Sequence, residues 1–570
     1  MKKLKRIIAL LLCAATVLAF AACGKTTENG PAGSTTAPAD SGGAGGTPSG
    51  EAPAAEKKII RIRDTGMLGS LDPAGDASGM YTSFAMYGLC YLVNFNDLGE
   101  MTYEAAESYE TNADQTVWTF HLRPEGKWSD GSPVIADDFI NTLRNTLTPG
   151  SGSAHMTELF VIKGARETQP AEGQEFDPST LDNLGVKAID DFTLEFTLNA
   201  PCPYFLKLTT VFTFAPSKSG VATRENKTWY TNPDTYLCNG PYYLAEFVQD
   251  ERYVLKKNQY FYDADKVKID TIEFIVIPDS MAAAAAYETG ELDYASSLLD
   301  TSFQQYAGMP DLVGWTVPTT VFLQYNFEKA PAFNDIRVRE AVSLAINRQD
   351  VCTSLGDGFT PNYNFVAPSM SSNDDTSGKV WVDERPQLFS EDLEKAKQLL
   401  ADAGYPNGEG FPVYTYVYRN STSSPDVAVA LQAQLKANLG INIELQGVEI
   451  GVFYAMRRDA DYELLGNSWT AVTMEPITFL EVFMTGGGFA SNAHISDATY
   501  DELVKKSNIE LVPATRNAQM HDADKYLVAE QFYIAPILTQ EIFSLRNPKI
   551  TGVEKTANGS SCFRFADIEG

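Results

Sequence analysis

The chain has 570 residues, 44% hydrophobic and 11% aromatic, with 74 acidic against 44 basic side chains for a formal net charge of −30. That length and apolar content suffice for two to four domains with substantial cores. The acidity argues against a nucleic-acid partner, which needs a basic face to displace phosphate counterions, and suits a protein kept soluble by self-repulsion.

In chain order, the first element is a targeting segment. Lys2, Lys3, Lys5 and Arg6 precede an uncharged, mostly apolar run from Ile7 to Phe20, and Phe20-Ala21-Ala22-Cys23-Gly24 ends it with small residues before a cysteine. Residues 1–22 read as a secretory signal. The cysteine stands as in bacterial lipoprotein signals, although Phe20 replaces the usual Leu. Lipid attachment at Cys23 is the expectation, and several acyl chains anchor far more firmly than one. Residues 23–56 are rich in Gly, Ser, Thr, Pro and Ala with almost no large apolar side chain. They cannot offset the entropy of ordering, and read as a flexible tether. No later apolar run reaches the ~18 residues of a bilayer span.

Strand patterns open the body at Ile59 to Arg63 and recur at Val117 to Leu122, Phe192 to Leu198 and Thr271 to Ile277. A helix-rich half follows. Ile336 to Arg348 puts Val338, Val342 and Ala345 on one face, with Asn334 or Asp335 able to cap it. Ser390 to Ala403 has a serine cap, acids in its first turn, and Gly404 then Pro406 as its stop. Val413 to Tyr418 reads as a strand, Val427 to Leu439 as a helix ending at Gly440, and Ile441 to Leu445 as a strand. This is a βαβ unit, which implies a parallel pair and a right-handed crossover. The body is an α/β protein of more than one lobe.

Motifs for catalysis are missing. The four histidines, His121, His155, His494 and His521, form no HExxH and no Cys/His cluster, so no metal site is expected. Nor is there a GxSxG elbow, a complete phosphate loop or a dinucleotide fingerprint, so no cofactor is expected. Asn373, Asp375, Ser377, Gly378 and Glu384 match a calcium-loop template, but Pro368 and Pro386 break its flanks and a solvated loop is the expectation. Cys90, Cys202, Cys238, Cys352 and Cys562 are too scattered for a disulfide framework and read as buried thiols.

From Ile59 onward the chain resembles the extracytoplasmic oligopeptide- and dipeptide-binding proteins of ABC importers, solute-binding protein family 5. The resemblance rests first on Val117 to Phe139, VWTFHLRPEGKWSDGSPVIADDF. It is supported in order by Leu71-Asp72-Pro73, Leu184 to Leu198 with Pro203-Tyr204-Phe205, Asn239-Gly240-Pro241-Tyr242, Pro331 to Asn347, Ala401 to Gly410 and Asn438 to Leu445. It implies a two-lobed periplasmic-binding-protein (type II) clamp with an extra subdomain. Lobe I would comprise residues 57–87, 217–319 and 540–570, the extra subdomain 88–216 and lobe II 320–539. A peptide or other small solute would bind between the lobes, which close by a hinge. The closed form would dock on a permease served by an ATPase. The protein itself would be no enzyme and a monomer.

The resemblance also implies site residues. Oligopeptide binders carry a Trp, then two residues later an Ala and directly after it the Asp that holds the peptide ammonium, followed by Glu-Pro. Here the segment is Trp469-Thr470-Ala471-Val472-Thr473-Met474-Glu475-Pro476, so the anchor position is Val472, and Gly466 replaces an Arg that precedes the Trp. Glu475 is a candidate substitute or, alternatively, a cap for the next helix turn. Further lining candidates are His155, Ser296, Ser297, Thr320, Phe322, Tyr81 and Thr82. The Val472 and Gly466 departures leave open a non-peptide solute, such as an oligosaccharide or a metal chelate. A ligand-sensing receptor is a further alternative.

Overall fold

The computed structural model describes residues 57–570 except 66–70, 76–78, 97–98, 152, 154, 171–173, 225, 227, 299–300, 371–379, 385–386, 421–422, 472, 558 and 570. The signal segment, the tether and Cys23 lie outside the described residues, as does most of the calcium-loop template.

A 12-stranded sheet organises the body. From one edge its strands are Ile443–Val448, Tyr414–Arg419, Leu464–Thr470, Thr319–Tyr325, Ile534–Arg546, Tyr294–Leu298, Ile59–Asp64, Thr271–Val276, Arg252–Lys257 and Tyr242–Val248. The 13-residue strand Ile534–Arg546 is the shared member. Its first part pairs antiparallel with Thr319–Tyr325, from Ile534↔Gln324 to Leu538↔Val321. Its later part pairs with Leu312–Thr316, from Glu541↔Thr316 to Leu545↔Leu312. The expected parallel pair is present, with Tyr414–Arg419 beside Ile443–Val448 in the register Tyr414↔Ile443 to Arg419↔Val448. The helix between them, Ser424–Leu439, ends at Gly440 with φ +71.

A separate antiparallel sheet holds Ala106–Thr111, Val117–Leu122, Thr193–Thr197 and Val186–Asp190. Alternation in Val117–Leu122 buries Trp118, Phe120 and Leu122 on one face. Phe120, Phe196 and Phe205 then meet at centroid separations of 5.2–6.5 Å.

The motifs that carried the resemblance hold the fold together. Trp128 and Asp138 are fully buried, and Asp138 accepts from Trp128 Nε1 at 2.8 Å, the Ile135 amide at 3.1 Å and the Ser219 amide at 2.9 Å. Burial raises the Asp138 pKa despite these bonds. Asn239 clamps Cys90, accepting from its amide at 2.9 Å and donating to its carbonyl at 3.0 Å. Gly240 must be glycine, because a Cβ there would lie 2.8 Å from the Gly88 carbonyl carbon and the Tyr87 oxygen.

Two helix readings need correction. Ile336 to Arg348 is not one helix: Ile336–Ala345 ends, and Arg348–Leu355 starts anew with Asn347 as its cap. Arg348 is buried and donates to the carbonyls of Pro536, Ser343 and Ile346, which fixes the break. The next helix is Leu393–Asp402, capped by Asp392 rather than Ser390. Cys90, Cys202, Cys238, Cys352 and Cys562 are buried free thiols.

Candidate ligand-binding site

The Leu464–Thr470 strand lies antiparallel to Thr319–Tyr325, with Trp469 opposite Thr320 and Thr470 opposite Thr319. The Ala471 amide extends the pairing to the Pro318 carbonyl at 2.9 Å. On its other side the strand meets Tyr414–Arg419 in parallel, but that pairing is confined to Tyr416↔Leu464 and Val417↔Leu465. Beyond it the two strands diverge. Among the described residues, one edge of the strand from Gly466 to Thr470 therefore has no neighbouring strand.

This strand pair brings five expected residues together, with different surroundings. Trp469 is half-buried, donates its indole N–H to the Thr478 carbonyl at 3.0 Å and meets Phe489 edge-on at 5.2 Å. Phe322 is fully buried against Phe365, Phe483 and Phe489. Thr320 is buried and accepts from Asn362 Nδ2 at 2.9 Å. Thr470 is exposed and shares a 2.7 Å hydroxyl contact with Thr319, and Ala471 is half-buried. Val472 lies outside the described residues.

Glu475 is buried between two cations. Arg516 Nη1 lies 2.6 Å from one carboxylate oxygen and Lys207 Nζ 3.2 Å from the other. Lys207 also donates to the Met474 carbonyl at 3.2 Å. Nearby Glu481 accepts from Asn508 Nδ2 at 2.8 Å and Tyr204 Oη at 3.4 Å, and burial raises its pKa. The sequence did not signal Lys207 or Arg516 as partners.

The remaining candidates lie apart from the strand pair. Ser296 and Ser297 sit in Tyr294–Leu298, across the shared strand, at a bulge where Ser297 has φ +54. Arg63 holds this bulge through the Ser296 and Ser297 carbonyls at 2.7 and 3.1 Å, and Ser296 Oγ donates to the Arg63 carbonyl at 2.9 Å. His155 stands near the separate sheet, with Nδ1 3.0 Å from Glu158 and its ring edge-on to Phe212 at 4.6 Å. Tyr81 and Thr82 belong to the helix Gly79–Gly88, but their side chains are outside those described.

A pocket that the sequence reading missed opens where the parallel strands diverge. Its walls include Tyr416, Tyr418, Arg419, Ser424, Gly466 and Ser468, and its cavity measures about 50 Å³. Arg419 ends its strand, and the Ser424–Leu439 helix begins shortly after. This is the carboxyl end of parallel strands, where open α/β sheets place ligands. Arg419 Nη2 donates to Ser468 Oγ at 3.1 Å, and its guanidinium sits 5.8 Å from the Phe453 ring centre. Gly466 faces the Tyr416 hydroxyl so closely that any Cβ would collide with it. The available signal was an Arg closing an alternating strand just before a helix start.

The α/β sheet, its shared strand and the separate antiparallel sheet define the type II periplasmic-binding-protein fold. The solved structure of the murein tripeptide-binding protein MppA from Escherichia coli superposes with a TM-score of 0.74 at 28% identity, covering 90% of this chain and 99% of that one. The family model "Bacterial extracellular solute-binding proteins, family 5 Middle" matches residues 100–491. The chain belongs to that family. Its relatives in E. coli K12 include the periplasmic murein peptide-binding protein MppA, 31% identical with 89% of this chain and 92% of that one covered. The periplasmic oligopeptide-binding protein OppA is 30% identical, with 84% and 88% covered. The probable deoxycholate-binding protein YgiS is 26% identical, with 88% and 91% covered. Among the described residues, no helix is long and apolar enough to cross a membrane.

Proposed function

We propose that this chain is the substrate-binding component of an ABC importer and captures peptides between two lobes. The open edge of the Leu464–Thr470 strand from Gly466 onward carries this reading. An extended peptide can pair with free strand edges through its main chain, gaining affinity that does not depend on its sequence. Trp469, Thr470, Ala471 and Val472 would flank it, with Thr320 and Phe322 supporting the wall. Ser296, Ser297, His155, Tyr81 and Thr82 would contribute from lobe I and the extra subdomain. The proposed lobes are 57–87, 217–319 and 540–570 for the first and 320–539 for the second, with 88–216 as the extra subdomain. The shared strand Ile534–Arg546 would then run through the hinge.

In this reading Glu475 is a structural ion-pair partner of Arg516 and Lys207 rather than the ammonium anchor, because two cations already neutralise it. The closed clamp would deliver its cargo to a permease driven by an ATPase subunit, working as a monomer without chemistry of its own. Cys23 would carry the lipid that holds it to the outer face of the membrane. A second reading, a non-peptide solute in the same clamp, is favoured by the YgiS relative and by the uncharged Val472.

The test is a thermal-shift screen of the full chain against pooled peptides, N-acetylated peptides, oligosaccharides, metal chelates and bile acids. A ligand at a hundredfold over its dissociation constant stabilises the fold by about 2.7 kcal/mol. A shift with either peptide pool supports the peptide reading. A shift confined to the other pools replaces it with the second reading.

A further inference from the structure

The proposed extra subdomain, residues 88–216, is bonded to the two proposed lobes unequally. It is tied to the first at several places: Asn239 clamps Cys90, Asn141 Nδ2 donates to the Ala222 carbonyl at 2.9 Å, and Arg564 pairs with Glu104. Among the described residues, its hydrogen bonds to residues 320–539 come from Tyr204 and Lys207. A hinge between the lobes would carry the extra subdomain with the first lobe and part it from the second at these two side chains.

Both belong to one short turn. Phe205, between them, is buried and meets Trp118, Phe120 and Phe196 of the separate sheet at 5.2–6.5 Å, which fixes the turn to its own subdomain. Tyr204 and Lys207 reach the other way. Lys207 Nζ lies 3.2 Å from both the Met474 carbonyl and Glu475 Oε2. Tyr204 Oη donates to Glu481 at 3.4 Å, and the Arg516 guanidinium sits 4.9 Å from its ring centre. These targets adjoin the proposed peptide track. Met474 lies five residues past Trp469, whose indole donates to the Thr478 carbonyl just beyond.

Glu475 is suited to a bond that breaks and re-forms. A buried carboxylate stripped of its counterion is costly, but one cation stays with Glu475 whatever the extra subdomain does. Arg516 Nη1 holds the other carboxylate oxygen at 2.6 Å, and Arg516 Nε donates to the Ser507 carbonyl at 2.8 Å, all within residues 320–539. The Lys207 side chain is 21% exposed against 1% for Glu475. Its ammonium is strongly hydrated in water, so it can withdraw while Arg516 keeps Glu475 neutralised.

We propose that Lys207, supported by Tyr204, is the latch of the closed clamp: a positioning residue that crosses from the extra subdomain to the Met474–Glu475 segment, steadies the Trp469 wall and touches no ligand. The proposal rests on the two-lobed capture reading above and names what holds that closure. A latch acts on the population of the closed state, so it raises the affinity for every ligand by one common factor.

The experiment compares the full chain with Lys207→Met and Lys207→Arg, by calorimetry with trialanine, Ala-Glu-Ala and Ala-Lys-Ala and by small-angle X-ray scattering without ligand. Lys207→Met should weaken each peptide that the wild type binds by the same factor, about tenfold. It should also enlarge the radius of gyration of the unliganded chain by about 1 Å. Lys207→Arg keeps the charge and should stay within about threefold of the wild type in affinity. A merely structural role would lower the melting temperature and move neither reading. Unchanged affinities, factors that differ among the peptides by more than about threefold, or an unchanged radius in Lys207→Met overturn the proposal. If no peptide binds the wild type but Lys207→Met expands, the peptide reading fails and the latch stands. If the expansion is also absent, both fall. Tyr204→Phe, which keeps the ring beside Arg516 and loses the bond to Glu481, is the check should Lys207→Met fail to fold. It should expand the unliganded chain in the same direction, and a radius equal to the wild type's would overturn the latch.

Discussion

The turn around Asp138 and the pocket around Arg419 are both built on a charged side chain at a strand–helix junction, yet they are finished differently. Asp138 is fully buried and takes three N–H donors from three segments, so its bonding capacity is largely used inside the fold. Arg419 is half-buried, and among the described residues its side chain makes a single hydrogen bond, to Ser468. A saturated buried charge is a rivet, since removing it leaves unpaired partners in a dry interior. An unsaturated one at the mouth of a cavity has bonding left for something outside the chain.

That contrast breaks first at Asp138. Asp138→Ala strands the Trp128 indole and two amides, and should cost about 3–5 kcal/mol in urea denaturation; a loss below about 1 kcal/mol would show that the cluster is not a rivet. Gly240→Ala comes next. Its new methyl meets backbone rather than a yielding side chain, and about 2–3 kcal/mol should be lost in the same assay.

Glu481 is intermediate, half-buried with two hydrogen bonds, and desolvation raises its pKa. The folded chain thus holds the Glu481 proton more tightly than the unfolded chain does. Its contribution to stability is full below the unfolded glutamate's pKa and is lost as pH rises through the higher folded one. Glu481→Gln should therefore melt a few degrees above the wild type at pH 8 and lose that advantage near pH 4, as followed by circular dichroism. The smallest effect belongs to Arg419→Met, whose unliganded stability should change by no more than about 0.5 kcal/mol. A large loss there would put Arg419 with the rivets.

What the sequence revealed followed the range of the interactions. Val117–Leu122 was legible as a strand, because a period of two is a local signal. The βαβ reading correctly paired Tyr414–Arg419 with Ile443–Val448, since a short strand–helix–strand run leaves few other arrangements. The helix break at Ile346–Asn347 was not visible, because what draws Arg348 inward is the Pro536 carbonyl, 188 residues away. The resemblance located the Trp469 segment but not the partners of Glu475, which come from Lys207 and Arg516. The Arg419 pocket was missed for a related reason. It exists because two parallel strands part after Val417 and Leu465, and no local pattern encodes where neighbouring strands separate.

The long strand Ile534–Arg546 also sets the order in which the molecule can be finished. Every strand it joins, from Tyr294–Leu298 to Phe359–Pro361, precedes it in the chain. During synthesis those strands emerge without their common partner, and both groups must wait for the same late segment to close their ladders. Chains normally fold unit by unit from the amino end. Here the central sheet can be completed only once nearly the whole polypeptide is available, so the chain cannot close its central ladders until synthesis is almost finished.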